Sequence, residues 1–219
     1  MAHVHAVLTG DLIDSRSAST EDVDAAMATL ARTAHRISAN AAGDTRFSRS
    51  RGDGWQLFLR HPGMMLTASV ALVAALVESG KLRTRIAVGV GTVGRIGPAD
   101  LSDATGEAFE VSGRLLALMP RGKSLAVAGP WVDPFHRALF DMADFQSSRW
   151  TKKQAEAIAF FMVPDLVREA ADKPESQARI AEVLGISQQA VQARLAGAGY
   201  ANLRPALDAF ESHDWGRPA

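Results

Sequence analysis

Two short acidic motifs contain the residues whose types and spacing point most directly to chemistry. In "GDLID", Asp11 follows a run typical of a β-strand, and in "RSRGDGW", Asp53 lies between two glycines in the pattern of a tight hairpin. In a β-α-β-β unit the end of the first strand lies beside the hairpin, so the two carboxylates are expected to face each other. Facing carboxylates repel unless a cation lies between them, and Mg²⁺ prefers oxygen ligands and substrate phosphates. The pair is therefore a candidate site for Mg²⁺ or Mn²⁺.

The same motifs also have a purely structural interpretation. Asp-Gly between two strand-like runs is a strong hairpin signal, and Asp53 is then only a turn residue. His3 and His5 share one face of the first strand, and we expect ordinary surface or interface histidines there rather than metal ligands. For Asp11 and Asp53, the turn and the metal site both remain open.

Together with a later helical motif, these stretches resemble the catalytic domain of class III nucleotidyl cyclases. The resemblance covers the first 130 residues. In that family an aspartate after the first strand and a Lys-x-x-Gly-Asp hairpin supply the two metal ligands, which correspond here to Asp11 and Asp53. The resemblance implies that Arg49, at the lysine position of the hairpin, contacts the base.

The helical motif "DATGEAFEVSGR" matches the family pattern Asp-x-x-Gly-x-x-x-Asn-x-x-x-Arg. The resemblance implies nucleotide-binding positions at Asp103 near the purine, at Gly106 and Glu110, and at Arg114 beside the phosphates. If the chain is a cyclase, Arg114 and Glu110 are the implied catalytic residues. A surface or salt-bridge role for Arg114, beside the apolar Leu115, remains the alternative.

Three positions depart from the cyclase pattern. Glu110 stands where the family has asparagine, and it brings a negative charge toward a triphosphate. Arg49 replaces the lysine that reads adenine, and the late catalytic lysine has only Lys123 and Lys152 as candidates. These changes weaken the case for cyclisation more than the case for nucleotide binding.

The elements that must position these residues follow from the hydrophobic pattern. The first half alternates as β-α-β-β-α-β and is extended by a further helix and strand, which predicts a ferredoxin-like α+β domain over residues 1–130. The apolar stretch "MMLTASVALVAALVESG" is slightly short for a membrane span, so we expect a buried core helix. Residues 131–219 show helical patterns only, which predicts an all-α C-terminal domain.

Composition limits the class of protein. The chain has 219 residues, 47% of them apolar, no cysteine and a formal net charge of zero. These values predict a soluble globular protein without disulfides, and the start of the sequence lacks the pattern of a signal peptide, so we expect a cytoplasmic protein without membrane contact. Contact with DNA would require a local basic surface.

The stretch "QARIAEVLGISQQAVQARLAGAGY" has the pattern of a helix-turn-helix. Gly185 falls in the turn and Ser187 at the cap of the second helix. The second helix would enter the major groove of double-stranded DNA, with its glutamines on base edges and arginines on phosphates. The predicted DNA-binding residues are Ser187, Gln188, Gln189, Gln192, Arg194 and Arg204, with Arg179 as a further phosphate contact. A helical hairpin for protein contacts is the alternative.

Two further stretches extend the resemblance. "RWTKKQAEAI", followed by the helix-turn-helix pattern and preceded by the opening "GDLIDSR", is similar to the SatD-type bacterial family. The similarity covers nearly the whole chain and implies an architecture rather than a mechanism.

These observations lead to one function hypothesis and two rivals. The first is a DNA-binding transcriptional regulator whose cyclase-like domain senses a nucleotide or cyclic nucleotide, acting as a homodimer because both halves resemble dimeric modules. The second is an active class III cyclase with a helix-turn-helix regulatory domain. The third is a nucleotide-free dimerisation scaffold that carries a DNA reader.

Overall fold

A computed structural model describes residues 3–40, 45–50, 52–97, 100–162 and 177–216. The strands are β1 (Val4–Ile13), β2 (Thr45–Arg49), β3 (Gly54–Leu59), β4 (Arg83–Thr92) and β5 (Leu125–Ala128). The helices are α1 (Thr20–Asn40), α2 (Met65–Ser79), α3 (Glu107–Leu118), α4 (Pro134–Ser147), α5 (Lys152–Met162), α6 (Gln177–Leu184), α7 (Gln188–Gly197) and α8 (Tyr200–Ser212). The mixed α+β class is confirmed.

The five strands form one mixed sheet in the order β2-β3-β1-β4-β5. Strand β1 pairs antiparallel with β3 on one side and with β4 on the other, β2 pairs antiparallel with β3, and β4 pairs parallel with β5. The chain therefore places β1 at the centre, between the hairpin and the strand that follows α2.

Strand β1 is longer than its sequence pattern indicates. The pattern "HVHAVLTG" predicts an end at Gly10, whereas pairing with β4 continues to Ile13 opposite Arg83. Asp11 thus lies inside the ladder rather than beyond it, because backbone pairing to two neighbours outweighs the low strand propensity of aspartate.

The two faces of the sheet are covered by different helices. Helices α1 and α2 pack on the face that carries Leu8, Leu57 and Val88, whereas α3 packs on the other face beside Val7 and Phe58. Helix α3 approaches β4 closely at Gly89, where an added Cβ would lie 2.1 Å from the carbonyl oxygen of Ala108. The close approach makes glycine the only residue that fits there without a shift.

Helix α2 is apolar on all sides and lies at the centre of the molecule. Among the described residues, the stretch Pro62–Ser79 is long and apolar enough to span a bilayer, but 83% of it is buried inside the protein. The expected buried core helix is confirmed.

The C-terminal helices pack against the sheet-bearing part of the chain. Helix α5 lies along α2, α7 packs on α5, and α8 contacts the turn that precedes α2. One cluster of buried side chains extends from Ala6 on β1 to Trp215 after α8. The two parts therefore share a hydrophobic core, and the boundary near residue 130 stays a prediction.

Candidate functional site

The sheet face that carries α3 also carries Asp11. Along β1, alternate residues point to this face, and Thr9 Oγ1 lies 2.8 Å from Ser112 Oγ on α3. Asp11 is two residues further along the strand and therefore points to the same side, near the end of the sheet where the hairpin turns. Its side chain is 27% exposed, so it is accessible but partly enclosed.

Both carboxylate oxygens of Asp11 are occupied by the side chain of Arg85. Asp11 and Arg85 are direct cross-strand partners in the β1–β4 ladder. The Nε–H of Arg85 donates to Oδ1 of Asp11 at 2.9 Å, and its Nη2 donates to Oδ2. This fork-to-fork geometry raises the pKa of the Arg85 guanidinium, mainly through its hydrogen bond to Asp11.

Asp53 lies in the hairpin turn beside this ion pair. The backbone N–H of Leu12 donates to the carbonyl oxygen of Asp53 at 3.2 Å, and Ser15 Oγ donates to the Asp53 carboxylate. Asp53 also contributes to the raised pKa of Arg85 through its charge. Asp11, Asp53 and Arg85 therefore interact electrostatically. We call these three residues and Ser15 the strand-end cluster.

The backbone under the strand-end cluster is held by a buried tryptophan. Trp55 Nε1 donates to Thr84 Oγ1 at 3.0 Å, and Thr84 Oγ1 donates to the carbonyl oxygen of Asp11 at 2.7 Å. The indole crosses β1 at Gly10, where an added Cβ would lie 2.4 Å from the Trp55 ring. Gly10 thus allows the tryptophan to support the strand that carries Asp11.

Hydrogen bonds within the strand-end cluster already engage both carboxylates. The Asp11 carboxylate already accepts two hydrogen bonds from a cation, and Asp53 accepts one from Ser15. In the described part of the chain, no group of three or more His, Cys, Asp or Glu side chains could hold an ion. Asp11 lies opposite Gly54, the residue after Asp53, and Arg85 on the other neighbouring strand holds the Asp11 carboxylate.

Arg49 lies away from this cluster. On β2 it pairs with Trp55, on the face that packs against α1, and its Nη1 donates to Asp24 on α1 at 2.7 Å. It also donates to the carbonyl oxygen of Gly52 in the hairpin turn. Arg49 and Asp11 therefore point to opposite faces of the sheet within one chain.

The helical motif surrounds the start of α3. Gly106 caps the helix with φ +133°, and an added Cβ would lie 2.7 Å from the backbone of Val93, so glycine is needed for this approach. Asp103 pairs at 3.6 Å with Arg95, and both side chains are exposed. Glu110 and Arg114 are exposed one turn apart on the outer side of α3. Among the described residues, no hydrogen bond or ion pair joins Arg114 to the strand-end cluster.

The candidates for the late lysine are engaged elsewhere. Lys123 Nζ donates to Asp141 Oδ1 at 2.5 Å on α4, and Lys152 begins α5 beside Gly80. Neither lysine joins the strand-end cluster.

Sequence reasoning missed Arg85 and Ser15. Arg85 stands at an alternating position of "RTRIAVGV", and only the β1–β4 register reveals that it faces Asp11. Ser15 follows Asp14, whose positive φ of 58° turns the chain back toward the hairpin. A polar residue directly after "GDLID" was the only local signal for Ser15.

The residues with the helix-turn-helix pattern form α6, a turn and α7. Gly185 adopts a positive φ of 62° in this turn, and Ser187 Oγ accepts from the N–H of Ala190 at the start of α7. Val191 and Leu195 are buried, which leaves Gln188, Gln189 and Gln192 exposed on the other side of α7.

The arginines of this region differ in their surroundings. Arg194 Nη1 donates to Glu156 Oε2 on α5 at 2.5 Å, and only 17% of its side chain is exposed. Arg204 forms an ion pair with Asp208 one turn along α8 and is about half exposed. Arg179 on α6 is partly exposed. Arg194 is thus the arginine most firmly tied to another helix.

Comparison with known proteins gives similarity in fold only. No protein-family model matches the sequence, and no curated protein sequence matches it. The chain is similar to a guanylyl cyclase structure, with 17% identity, 58% of this chain and 77% of that chain covered, and a TM-score of 0.41. A bacterial light-regulated adenylyl cyclase matches at 15% identity over 69% of this chain and 82% of its own, with a TM-score of 0.40.

A third similar structure is a guanylyl cyclase domain of the RhoGC fusion protein from the aquatic fungus Blastocladiella emersonii. It matches at 14% identity over 53% of this chain and 74% of its own, with a TM-score of 0.36.

Proposed function

We propose that the chain is a DNA-binding transcriptional regulator in which α6 and α7 form a helix-turn-helix and the sheet-bearing part senses a nucleotide or cyclic nucleotide. The observation that carries this proposal is the exposed row of glutamines on α7, directly after a turn closed by Gly185 and capped by Ser187. Glutamine offers both a donor and an acceptor to base edges and suits adenine in the major groove.

The inner side of α7 supports this assignment. Ile180, Val191 and Leu195 pack α6 and α7 together, and the N–H of Ile186 donates to the carbonyl oxygen of Ala181 at 2.9 Å. The turn is therefore closed by backbone bonds, and the first turn of α7 is free to present side chains outward. A helical hairpin for protein contacts would have less need for a polar first turn.

The three arginines that the sequence pattern assigns to phosphates differ in exposure and in their ion pairs. Arg179 and Arg204 are proposed phosphate contacts because both have exposed surface, and Arg204 also pairs with Asp208 on its own helix. Arg194 is also a proposed contact, but it would first have to leave Glu156. This requirement gives α5 a direct influence on the DNA-binding helix.

The ion pair between Glu156 and Arg194 connects α7 to a helix that packs against the sheet-bearing part. Helix α5 lies along α2, α2 packs beneath the sheet, and Glu156 on α5 holds Arg194 on α7. A ligand that favours one arrangement of the sheet-bearing part over another would shift α5 and so alter the availability of α7.

For the sheet-bearing part we propose a ferredoxin-like, cyclase-type domain that binds without turnover. The order β2-β3-β1-β4 with its three antiparallel pairings supports the ferredoxin-like assignment. The occupied Asp11 carboxylate and the acidic Glu110 both oppose the alternative, an active cyclase. Homodimerisation, nucleotide binding at Asp103, Gly106 and Arg114, and membership of the SatD-type family remain parts of the proposal.

The test of the DNA-binding role is a change in sequence discrimination. The duplex is first selected from random sequences and from the DNA upstream of the gene, and affinity is then compared with that for a scrambled duplex. Gln189→Ala is expected to reduce discrimination by about 1–3 kcal/mol while non-specific affinity stays nearly constant. Arg32→Ala, a remote exposed arginine on α1, serves as the control and is expected to change neither quantity. Equal discrimination by Gln189→Ala and the unmodified chain would contradict base reading by α7.

A further inference from the structure

We propose that Arg85 is the built-in counter-ion of Asp11 and Asp53, so that this acid pair takes no divalent cation and any nucleotide is recognised without one. The exclusion of a divalent cation by Arg85 concerns the strand-end cluster alone. Metal-free nucleotide recognition rests on the proposed function, because it assumes that the sheet-bearing part binds a nucleotide.

Arg85 holds a positive charge in a fixed position beside the Asp11 carboxylate. Its guanidinium donates through Nε and Nη2 to the two oxygens of Asp11, so each oxygen already accepts one charge-assisted hydrogen bond. Guanidinium stays protonated at every physiological pH, and its planar fork fits a carboxylate better than a single ammonium does. The positive charge is therefore permanent and oriented.

The sheet fixes the position of both partners. Asp11 and Arg85 are opposite each other in an antiparallel ladder, and their side chains are 27% and 33% exposed. A mobile surface ion pair contributes little to stability, because ordering two long side chains has an entropic cost. Here the register orders them in advance, and Asp53 adds a second carboxylate within electrostatic range of Arg85.

A divalent ion would have to displace this arginine. Displacement would break two charge-assisted hydrogen bonds and leave a partly enclosed guanidinium beside a doubly charged ion, which is unfavourable. Ser15 Oγ, which borders this acid pair, donates to the Asp53 carboxylate. Arg85 therefore opposes metal binding by occupancy and by repulsion.

Removal of Arg85 is expected to create the metal site that the unmodified chain lacks. Binding of Mn²⁺ is measured by the electron paramagnetic resonance signal of the free ion, with the chain at constant concentration. Arg85→Gln is expected to bind Mn²⁺ about tenfold or more tightly than the unmodified chain, since two neighbouring carboxylates then lack a counter-charge. The double variant Arg85→Gln with Asp11→Asn is expected to lose this gain.

Arg83→Gln is the matched control. Arg83 lies two residues away on β4 and donates to the carbonyl oxygen of Ser148 instead of to a carboxylate. Its replacement is expected to leave Mn²⁺ binding unchanged. An equal gain in Arg83→Gln and Arg85→Gln would contradict a specific role for Arg85.

The unmodified chain tests the proposal even if Arg85→Gln fails to fold. Absence of Mn²⁺ binding at the strand-end cluster is the expected result. Tight binding that Asp53→Asn abolishes would overturn the proposal, because the acid pair would then hold a metal in the presence of Arg85.

Nucleotide recognition without a divalent cation is tested by thermal shift with ATP, GTP, cyclic AMP and cyclic GMP. The shift in Tm is expected to be the same with Mg²⁺ as with a chelator. A shift that requires Mg²⁺ would overturn metal-free recognition. No shift with any of these probes would contradict nucleotide sensing, whereas the Mn²⁺ titration would still decide the role of Arg85.

Discussion

At the scale of single residues, the strand-end cluster depends on side chains that the sheet register brings together. Asp11 and Asp53 carry a recognisable sequence signal, and the structure does place them near each other. Arg85 has no such signal, because an arginine at an alternating strand position is common and its partner is set by the register of β1 and β4. The sequence therefore indicates two neighbouring acids, whereas only the sheet register reveals the arginine that pairs with Asp11.

The support beneath the cluster gives a prediction at Gly10. An added Cβ would lie 2.4 Å from the Trp55 ring and 2.6 Å from the carbonyl oxygen of Arg85, so Gly10→Ala forces the buried tryptophan to move. We expect the free energy of unfolding to fall by about 1–3 kcal/mol, as for other overpacked cores. Denaturant unfolding monitored by tryptophan fluorescence measures the change.

The control for this substitution is a glycine with open space around it. Gly113 lies inside α3 with nothing within 4 Å of an added Cβ. Gly113→Ala is expected to stabilise the chain by about 0.5–1 kcal/mol, because alanine favours helix. A loss of stability in Gly113→Ala as large as in Gly10→Ala would show that close packing is not the cause.

At the scale of elements, the hydrophobic pattern was sufficient to predict the strands and the core helix. Strand-like apolar runs indicate β1 to β5, and an apolar stretch slightly short for a membrane span indicates that α2 is a core helix. The pattern could not show where β1 ends, since pairing on both sides extends it through the polar Asp11. It also could not show that Arg49 faces α1, because the face depends on a hairpin register that includes Trp55.

The contact between α2 and α5 gives a prediction of pH dependence. Burial, followed by repulsion from Glu156, raises the pKa of Glu78 above its ordinary value of 4.5. The folded state therefore favours the protonated carboxyl, so its contribution to stability is present below the ordinary pKa and is lost as pH rises through the raised pKa.

Glu78→Gln removes this titration while keeping the shape of the side chain. We expect its Tm to exceed that of the unmodified chain at neutral pH, with a difference that narrows as the pH falls toward the ordinary pKa of glutamate. Thermal melts over a series of pH values measure the difference. A difference that stays constant across the series would contradict the assigned cause.

At the scale of the whole molecule, one hydrophobic core joins the sheet to the helices that carry the proposed DNA-binding surface. Sequence composition predicted helices in the C-terminal part, but it could not show that α5 packs on α2 or that Glu156 holds Arg194. Such contacts join residues far apart in the chain, and no local pattern encodes them. We propose that a ligand bound to the sheet-bearing part acts on α7 through these contacts.

We expect the sheet-bearing part to bind a nucleotide without converting it. Incubation with ATP or GTP and Mn²⁺ is expected to give no cyclic product, because Arg85 occupies Asp11 and Glu110 adds negative charge near a triphosphate. Product analysis by liquid chromatography measures the outcome. Cyclic product that disappears in Asp53→Ala would favour the active cyclase.

The proposed binding of double-stranded DNA through α7 is tested by the salt dependence of that binding. Affinity for the selected duplex is measured at several salt concentrations by fluorescence anisotropy, with and without each nucleotide. We expect the affinity to fall steeply as salt rises, and we expect Arg204→Ala to weaken binding to all duplexes and reduce the slope by about one phosphate contact. DNA binding that is absent, or insensitive to salt, with every nucleotide would contradict the proposed DNA-binding role. It would favour a role of α6 and α7 in protein contacts.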